Sequence, residues 1–397
     1  MQFNAFSISR FPRIHYGAGR ILEVPSLAAA YGQTVLLVTG KQSFCASACW
    51  PEFIQALEDK QLKCLHISVS GEPSPTLVDD MVSRFLGEQI DVVIGIGGGS
   101  VLDAAKAIAG LLPHGNSVMD HLEGVGKNIP YRGPSTPFIA VPTTAGTGSE
   151  ATKNSVLSMQ GPQGFKKSFR DEKLIPEYAV IDPDLLASCP SELIAADGMD
   201  AFTQLLESYV SIKANPFTDA LALSGICAFK EGFFSAWQGI EPAARHGRAA
   251  MAYASLLSGI TLAQVGLGSV HGLASPLGAY FPIPHGVVCG TLVGAATQIN
   301  IQALLERDSA NPALTKYAQV GRLLSEQQEL SDDEARSTLS SLLMEWSQRL
   351  QLPRLSRFGV GLDDLPRIVA TCRSGSMLTN PIVLNNNEIE ALLKQRL

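Results

Sequence analysis

The residues best placed to do chemistry early in the chain are three consecutive glycines, Gly97, Gly98 and Gly99, followed by Ser100. They end an apolar run over residues 91–97 and open a stretch, residues 101–109, with helical spacing. Glycine lets the main chain approach an anion closely. The first turn of the following helix adds free N–H groups and the positive end of its dipole. A pyrophosphate suits that arrangement, although a tight turn without a ligand uses the same residue type. The pattern is not G-x-G-x-x-G, so the ordinary dinucleotide fingerprint does not apply. A second polar loop, Thr143-Thr144-Ala145-Gly146-Thr147-Gly148-Ser149-Glu150, follows the next apolar run. Its hydroxyls and glycines can surround phosphate, ribose or a nicotinamide ring, and taken alone a capped turn explains them equally well. Two such loops after two strands favour a dinucleotide at the carboxyl edge of one sheet.

The elements that must position these loops follow from the patterning. Short apolar runs at residues 34–40, 64–69, 91–97, 137–142 and 178–182 read as strands, and residues 51–60 and 76–88 between them read as helices. Apolar strands separated by helices predict a mostly parallel sheet covered on both faces. After Asp182-Pro183-Asp184 the period becomes helical, over residues 201–211, 218–234, 243–265, 291–305, 332–350 and 387–397. No comparable strand run is evident there, so the second half should be mainly α. A chain of 397 residues exceeds what one core usually serves, and we expect two domains, residues 1–185 and 186–397, with a cleft between them.

Composition narrows the function classes. A hydrophobic share of 46% gives ample surface to bury, which argues against disorder. A net charge of −7 without a Lys/Arg run speaks against nucleic acid. No stretch approaches the roughly 20 uninterrupted apolar residues of a membrane span, and the first residues lack the basic start and apolar core of a secretory signal. The seven scattered cysteines read as reduced thiols, and with these features suggest a cytoplasmic protein.

At this point the residues match a family. Gly97-Gly98-Gly99-Ser100-x-x-Asp103-x-x-Lys106 resembles the GGGSxxDxxK element of the iron-dependent (group III) alcohol dehydrogenases, and residues 143–150 are identical to a common form of their TTAGTGSE loop. Glu72-Pro73-Ser74-Pro75-Thr76, Asp182-Pro183, Gly198-Met199-Asp200-Ala201 and Asn215-Pro216-Phe217-Thr218-Asp219-Ala220 resemble further family words in the same order. So does His271-Gly272-Leu273-Ala274-Ser275-Pro276-Leu277-Gly278-Ala279, followed by Ile283-Pro284-His285-Gly286. The resemblance spans nearly the whole chain.

What the resemblance implies is specific. The fold would be dehydroquinate synthase-like: an α/β N-terminal dinucleotide-binding domain and an all-α C-terminal domain holding one divalent metal, Fe2+ or Zn2+. The family's ligands are an Asp, a His four residues on, and two His fourteen residues apart; the matching positions are Asp200, Gln204, His271 and His285. Asp200 and position 204 share one helical face. Gln at 204 departs from the family, and an amide oxygen is a poorer donor than imidazole for Fe(II) or Zn(II). Two readings follow: a weakened site that Asp200, His271 and His285 still hold, or a site that is empty or used differently. Ser275 stands where the family often has a second His for proton relay, and Leu262 where an aromatic residue often lines the pocket.

The nucleotide would be seated by Gly40, Gly97, Gly98, Gly99, Ser100, Asp103, Thr143, Thr144 and Thr147, with Lys166 near its ribose and Asn154 facing the substrate. Gly40 replaces the family's NAD-selecting Asp, and the adjacent Lys41 either attracts a 2′-phosphate or is simply solvated, so NADP is favoured over NAD. The expected activity is hydride transfer between NAD(P)H and a small aldehyde or alcohol, by a homodimer or larger homo-oligomer. The rivals are a metal-independent reductase like the maleylacetate reductases and a nucleotide-binding relative with little turnover. A lyase like dehydroquinate synthase lacks its motifs here.

Overall fold

The computed structural model describes residues 5–161, 164–373 and 375–397. The first half alternates β1 (Arg13–Tyr16), α1 (Val24–Ala29), β2 (Thr34–Gly40), α2 (Cys49–Asp59), β3 (Lys63–Val69), α3 (Pro75–Arg84), β4 (Val92–Gly97), α4 (Gly99–Leu111) and β5 (Phe138–Pro142). A hairpin, β6 (Asn154–Met159) with β7 (Phe165–Arg170), precedes β8 (Tyr178–Ile181). Six strands form one parallel sheet in the order β1-β8-β5-β4-β2-β3. The side-chain period of two splits β2 between the faces. Val35 and Leu37 pack with Phe53 and Leu57 of α2, whereas Leu36 and Val38 pack with Val78 of α3 and Ile108 of α4. The chain leaves β2 for β3 on one side and returns at β4 on the other, so the carboxyl ends of β2 and β4 flank a topological switch point.

The second half is helical: α5 (Ser191–Val210), α6 (Pro216–Gln238), α7 (Ala243–Val265), α8 (Ser269–Tyr280), α9 (His285–Arg307), α10 (Pro312–Ser325), α11 (Asp332–Arg349), α12 (Leu365–Thr371) and α13 (Asn386–Lys394). Among the described residues no strand lies beyond Ile181. Helix α9 is long and apolar enough to cross a membrane, but 83% of its most apolar stretch is buried inside the protein, as in a core helix. Glycine lets it lie close to α5: a Cβ at Gly286 would sit 2.8 Å from the backbone of Ala196, and one at Gly290 2.9 Å from Cβ of Met199.

The α/β half followed by an all-helical half is the predicted architecture. Several elements are additional, among them the short helices α1 and α12. Strand β1 is a short, mostly exposed edge strand, and the hairpin is largely polar, so neither has an apolar run to announce it. Helix α8 begins among glycines and contains Pro276, whose missing N–H is a helix-breaking signal that tertiary packing overrides here. Helix α10, with Pro312 in its first turn, is another.

Candidate active site at the junction of sheet and helices

At the carboxyl edge of the sheet, Gly98 is the N-cap of α4, and no side chain caps its first N–H groups. The glycines there are required by close packing. A Cβ at Gly97 would stand 2.6 Å from the Val101 side chain, one at Gly99 2.6 Å from Thr147, and one at Gly98 3.3 Å from Thr144. Gly97 also accepts from the Thr143 N–H at 3.0 Å, which pins the second loop beside the first. Gly40, Gly97, Gly98, Gly99, Ser100, Thr143, Thr144 and Thr147 thus gather around one uncapped helix start, a cradle that a pyrophosphate fits.

The Asp103 carboxylate is consumed inside the protein, accepting from Ser149 Oγ at 2.6 Å and the Val156 N–H at 3.0 Å. One turn on, the buried Lys106 donates to Ser149 O, Ser149 Oγ, Thr152 Oγ1 and Asn154 O at 2.7–3.1 Å. Burial pushes its ammonium down to about 8, against the pull of Asp103 and Glu150. The Asp-x-x-Lys pair is therefore a clamp that shapes the second loop, with the Asp103 carboxylate bonded to protein donors.

The same loop touches the helical half. Gly146 lies against Asp197 of α5, where a Cβ would come within 2.7 Å, and the Thr144 hydroxyl favours the charged form of the Asp197 carboxyl. Asp200 follows one turn later on α5. Nucleotide loop and donor cluster therefore share one helix.

That cluster holds Asp200, His271, His285 and Cys289, one donor atom from each, all within 4.8 Å of one another. Asp200 comes from α5, His271 from the first turn of α8, and His285 and Cys289 from the first two turns of α9. His271 Nε2 lies 3.1 Å and His285 Nε2 3.8 Å from Asp200 Oδ1. Asp200 is 1% exposed and Cys289 fully buried, while the His285 side chain is 27% exposed, so the cluster opens on the His285 side.

Glu207, two turns past Asp200 on α5, orients His271. It accepts from the imidazole at Nδ1 at 2.7 Å and from the Val270 N–H at 2.7 Å, capping α8 in the same act. Two carboxylates thus bracket one imidazole. Burial pushes His271 down, but the Cys289 sulfur, Asp200 and Glu207 outweigh it and hold the ring well above its ordinary value. Burial likewise pushes Asp200 up, and the two imidazoles bring it down to about 2. His285 is pushed down to about 4 by burial, and its Nδ1 is buried without a partner among the described residues. The arrangement calls for positive charge between Nε2 of His271 and Oδ1 of Asp200. A divalent ion supplies it, with His271 held in the tautomer that presents Nε2. The donor set fits a metal.

Gln204 lies beside the cluster, bonded to Asp200. Its amide nitrogen donates to Asp200 Oδ2 at 3.2 Å, and its oxygen accepts from Ser258 Oγ at 2.7 Å. The carboxylate fixes that orientation because only the NH2 end can face it, and the amide oxygen is turned away from the cluster.

Lys166 pairs with Glu72 at 2.5 Å, and Glu72 also accepts from Ser158 Oγ at 2.6 Å. This polar group borders His285, on which both charges act. Ser275 donates to the Lys166 carbonyl at 3.1 Å, tying the hairpin to α8. Asn154 heads β6, and its carbonyl is taken by Lys106. Sequence reasoning missed Glu207, Asp197, Ser258 and Cys289. The signal for Glu207 was the stripe Asp200, Gln204, Glu207 on one helical face, and that for Cys289 its one-turn spacing from His285.

A doubly wound sheet with a glycine-lined helix start, faced by a carboxylate–imidazole cluster on helices, is an arrangement suited to a nucleotide-dependent enzyme with a metal-ligand set. Residues 12–183 match the family description "Iron-containing alcohol dehydrogenase", and residues 194–397 match "Fe-containing alcohol dehydrogenase family, C-terminal". The chain belongs to the iron-containing alcohol dehydrogenase family and is an oxidoreductase acting on alcohols. It is 31% identical to alcohol dehydrogenase 4 of Saccharomyces cerevisiae over 85% of both chains. It is 30% identical to 1,3-propanediol dehydrogenase of Klebsiella pneumoniae, over 94% of this chain and 95% of that one. Among solved structures it resembles a 1,3-propanediol oxidoreductase with a TM-score of 0.89 at 29% identity, covering 99% of this chain and all of the other.

Proposed function

We propose that the protein interconverts a small aldehyde or ketone and its alcohol, using NADPH in preference to NADH and a divalent ion, Fe2+ or Zn2+. The observation that carries this reading is the convergence of Asp200, His271 and His285 on one point, joined through α5 to the loop that walls the glycine cradle. The groups bound from outside supply the hydride and polarise the carbonyl oxygen. The chain supplies the rest. Asp200, His271 and His285 hold the ion, and Glu207 fixes the His271 ring. The α4 N-terminus, Thr144 and Thr147 seat the pyrophosphate. Lys166 and Glu72 border the open side at His285 and can hold the proton that the absent imidazole at 275 would carry. At the end of β2, Gly40 and Lys41 leave room and positive charge for a 2′-phosphate.

Gln204, bonded to Asp200 where the family has imidazole, favours a second reading: a metal-independent reductase of the same fold. Purified protein should carry about one equivalent of metal and oxidise NADPH faster than NADH on a panel of small aldehydes. Activity lost on chelation and restored by Fe2+ or Zn2+ supports the first reading. Activity untouched by a chelator that removes all metal selects the second. Cofactor binding without turnover of any aldehyde would defeat both.

A further inference from the structure

We propose that Cys289 is a metal ligand, its sulfur completing the donor set that Gln204 cannot. The inference rests on the metal part of the proposed function. Cys289 follows His285 by one turn of α9, which brings Sγ onto the face that carries the imidazole. Its Sγ lies 3.6 Å from His271 Nε2 and 3.8 Å from His285 Nε2. Bonds of roughly 2.3 Å to sulfur and 2.1 Å to nitrogen, set at tetrahedral angles, place S and N about 3.6 Å apart. The observed separations match those of two ligands on one ion, and without an ion they are weak hydrogen bonds to sulfur. A fully buried cysteine is ordinarily a small apolar core residue. This one has two imidazoles and a carboxylate around its sulfur.

The neighbouring position explains the need. Imidazole is missing at 204, and the amide oxygen there is held by Ser258 on the far side from the cluster. Asp200, His271 and His285 alone leave a three-donor set; Cys289 makes it four and adds a second anionic ligand. Thiolate is a soft donor, so the site should discriminate towards Zn2+ and Co2+ and against Mn2+ and Mg2+.

The test uses the full-length protein, stripped of metal and reloaded with Co2+. The expected result is one bound cobalt with an intense near-ultraviolet thiolate-to-cobalt charge-transfer band. In Cys289→Ser the band should vanish and metal affinity should fall on the order of 100-fold, at least what loss of an outer-shell partner costs. Cobalt bound without that band, or a band unchanged in Cys289→Ser, overturns the sulfur ligand and leaves the three-donor metal reading standing. Failure of the wild-type protein to bind Co2+ or Zn2+ at all removes the metal reading and the inference together. Because Cys289 is buried and its variant can misfold, X-ray absorption on zinc-loaded wild-type protein gives an independent answer. One sulfur at about 2.3 Å is expected, and a shell of nitrogen and oxygen alone at about 2.0–2.1 Å overturns the assignment.

Discussion

The nucleotide edge of the sheet and the donor cluster of the helices are built in opposite ways. The first is made of main chain and of missing side chains: Gly97, Gly98 and Gly99 leave the start of α4 bare, and Thr144 and Thr147 pack into the space a Cβ would take. The second is made of four side chains from three helices, with Asp200 and His271 held by Gln204 and Glu207. A site of the first kind is fixed by local sequence and tolerates little added volume. A site of the second kind depends on packing between elements far apart in the chain, and its members can be exchanged one for another.

Substitutions separate the two. The largest effect should come from Asp200→Ala, which removes the anionic hub of the cluster. Metal content should fall to background and kcat/KM by about a thousandfold or more, the several kcal/mol expected of a carbonyl-polarising ion, while cofactor affinity, read by fluorescence quenching, stays close to wild type. Lys106→Met, of similar volume, leaves Asp103 buried without its cation. It should destabilise the protein by about 3 kcal/mol, seen in urea unfolding, and raise KM for the cofactor as the loop relaxes. Glu207→Gln keeps the shape but loses the anionic partner of His271, and metal affinity should drop roughly 10- to 100-fold with the cradle untouched. Gly99→Ala should act only at the other end, weakening cofactor binding about tenfold, the scale of one displaced hydrogen-bonding group. Unchanged affinity would mean that the anion does not sit there.

The smallest effect concerns the helix both sites share. Burial pushes Asp197 from its ordinary 3.8 up to about 7, Asp200 adding to the shift and the Thr144 hydroxyl opposing it. A carboxyl whose folded value is raised binds its proton more tightly in the native state than when unfolded. Its contribution to stability is therefore full at low pH and declines as pH climbs from about 4 to about 7. Asp197→Asn should flatten that decline, so that its melting temperature relative to wild type is higher near pH 8 than near pH 5. A difference that does not vary with pH would place Asp197 in water.

Legibility in the sequence follows the same division. Strands β2, β4 and β5 were readable because strands buried on both faces are continuous apolar runs, and the glycine turn was readable because glycine has few other reasons to occur three times in a row. Asp200, His271 and His285 were found through family words, as no local rule joins residues seventy positions apart. For Glu207 and Cys289 the sequence offers only helical spacing from Asp200 and His285, which does not by itself single them out. Each is an ordinary helix residue until α5, α8 and α9 are packed. The motif places the Asp103 carboxylate next to the cradle but does not say which way it points; in the fold it meets Ser149 and the Val156 N–H. The β6/β7 hairpin, with its alternating polar residues, offered no hydrophobic pattern at all.

Strand β8 carries one more lesson. Val180 faces the core under α1 and α2, but Ala179 and Ile181 belong to the apolar cluster of the helical half. The last parallel strand is thus a party wall, hydrogen-bonded into one building and furnished on one side by the other. Neither half has a complete interior without it, so heat should dissolve the whole molecule in a single step, and a fragment ending at residue 185 should come out of the cell insoluble.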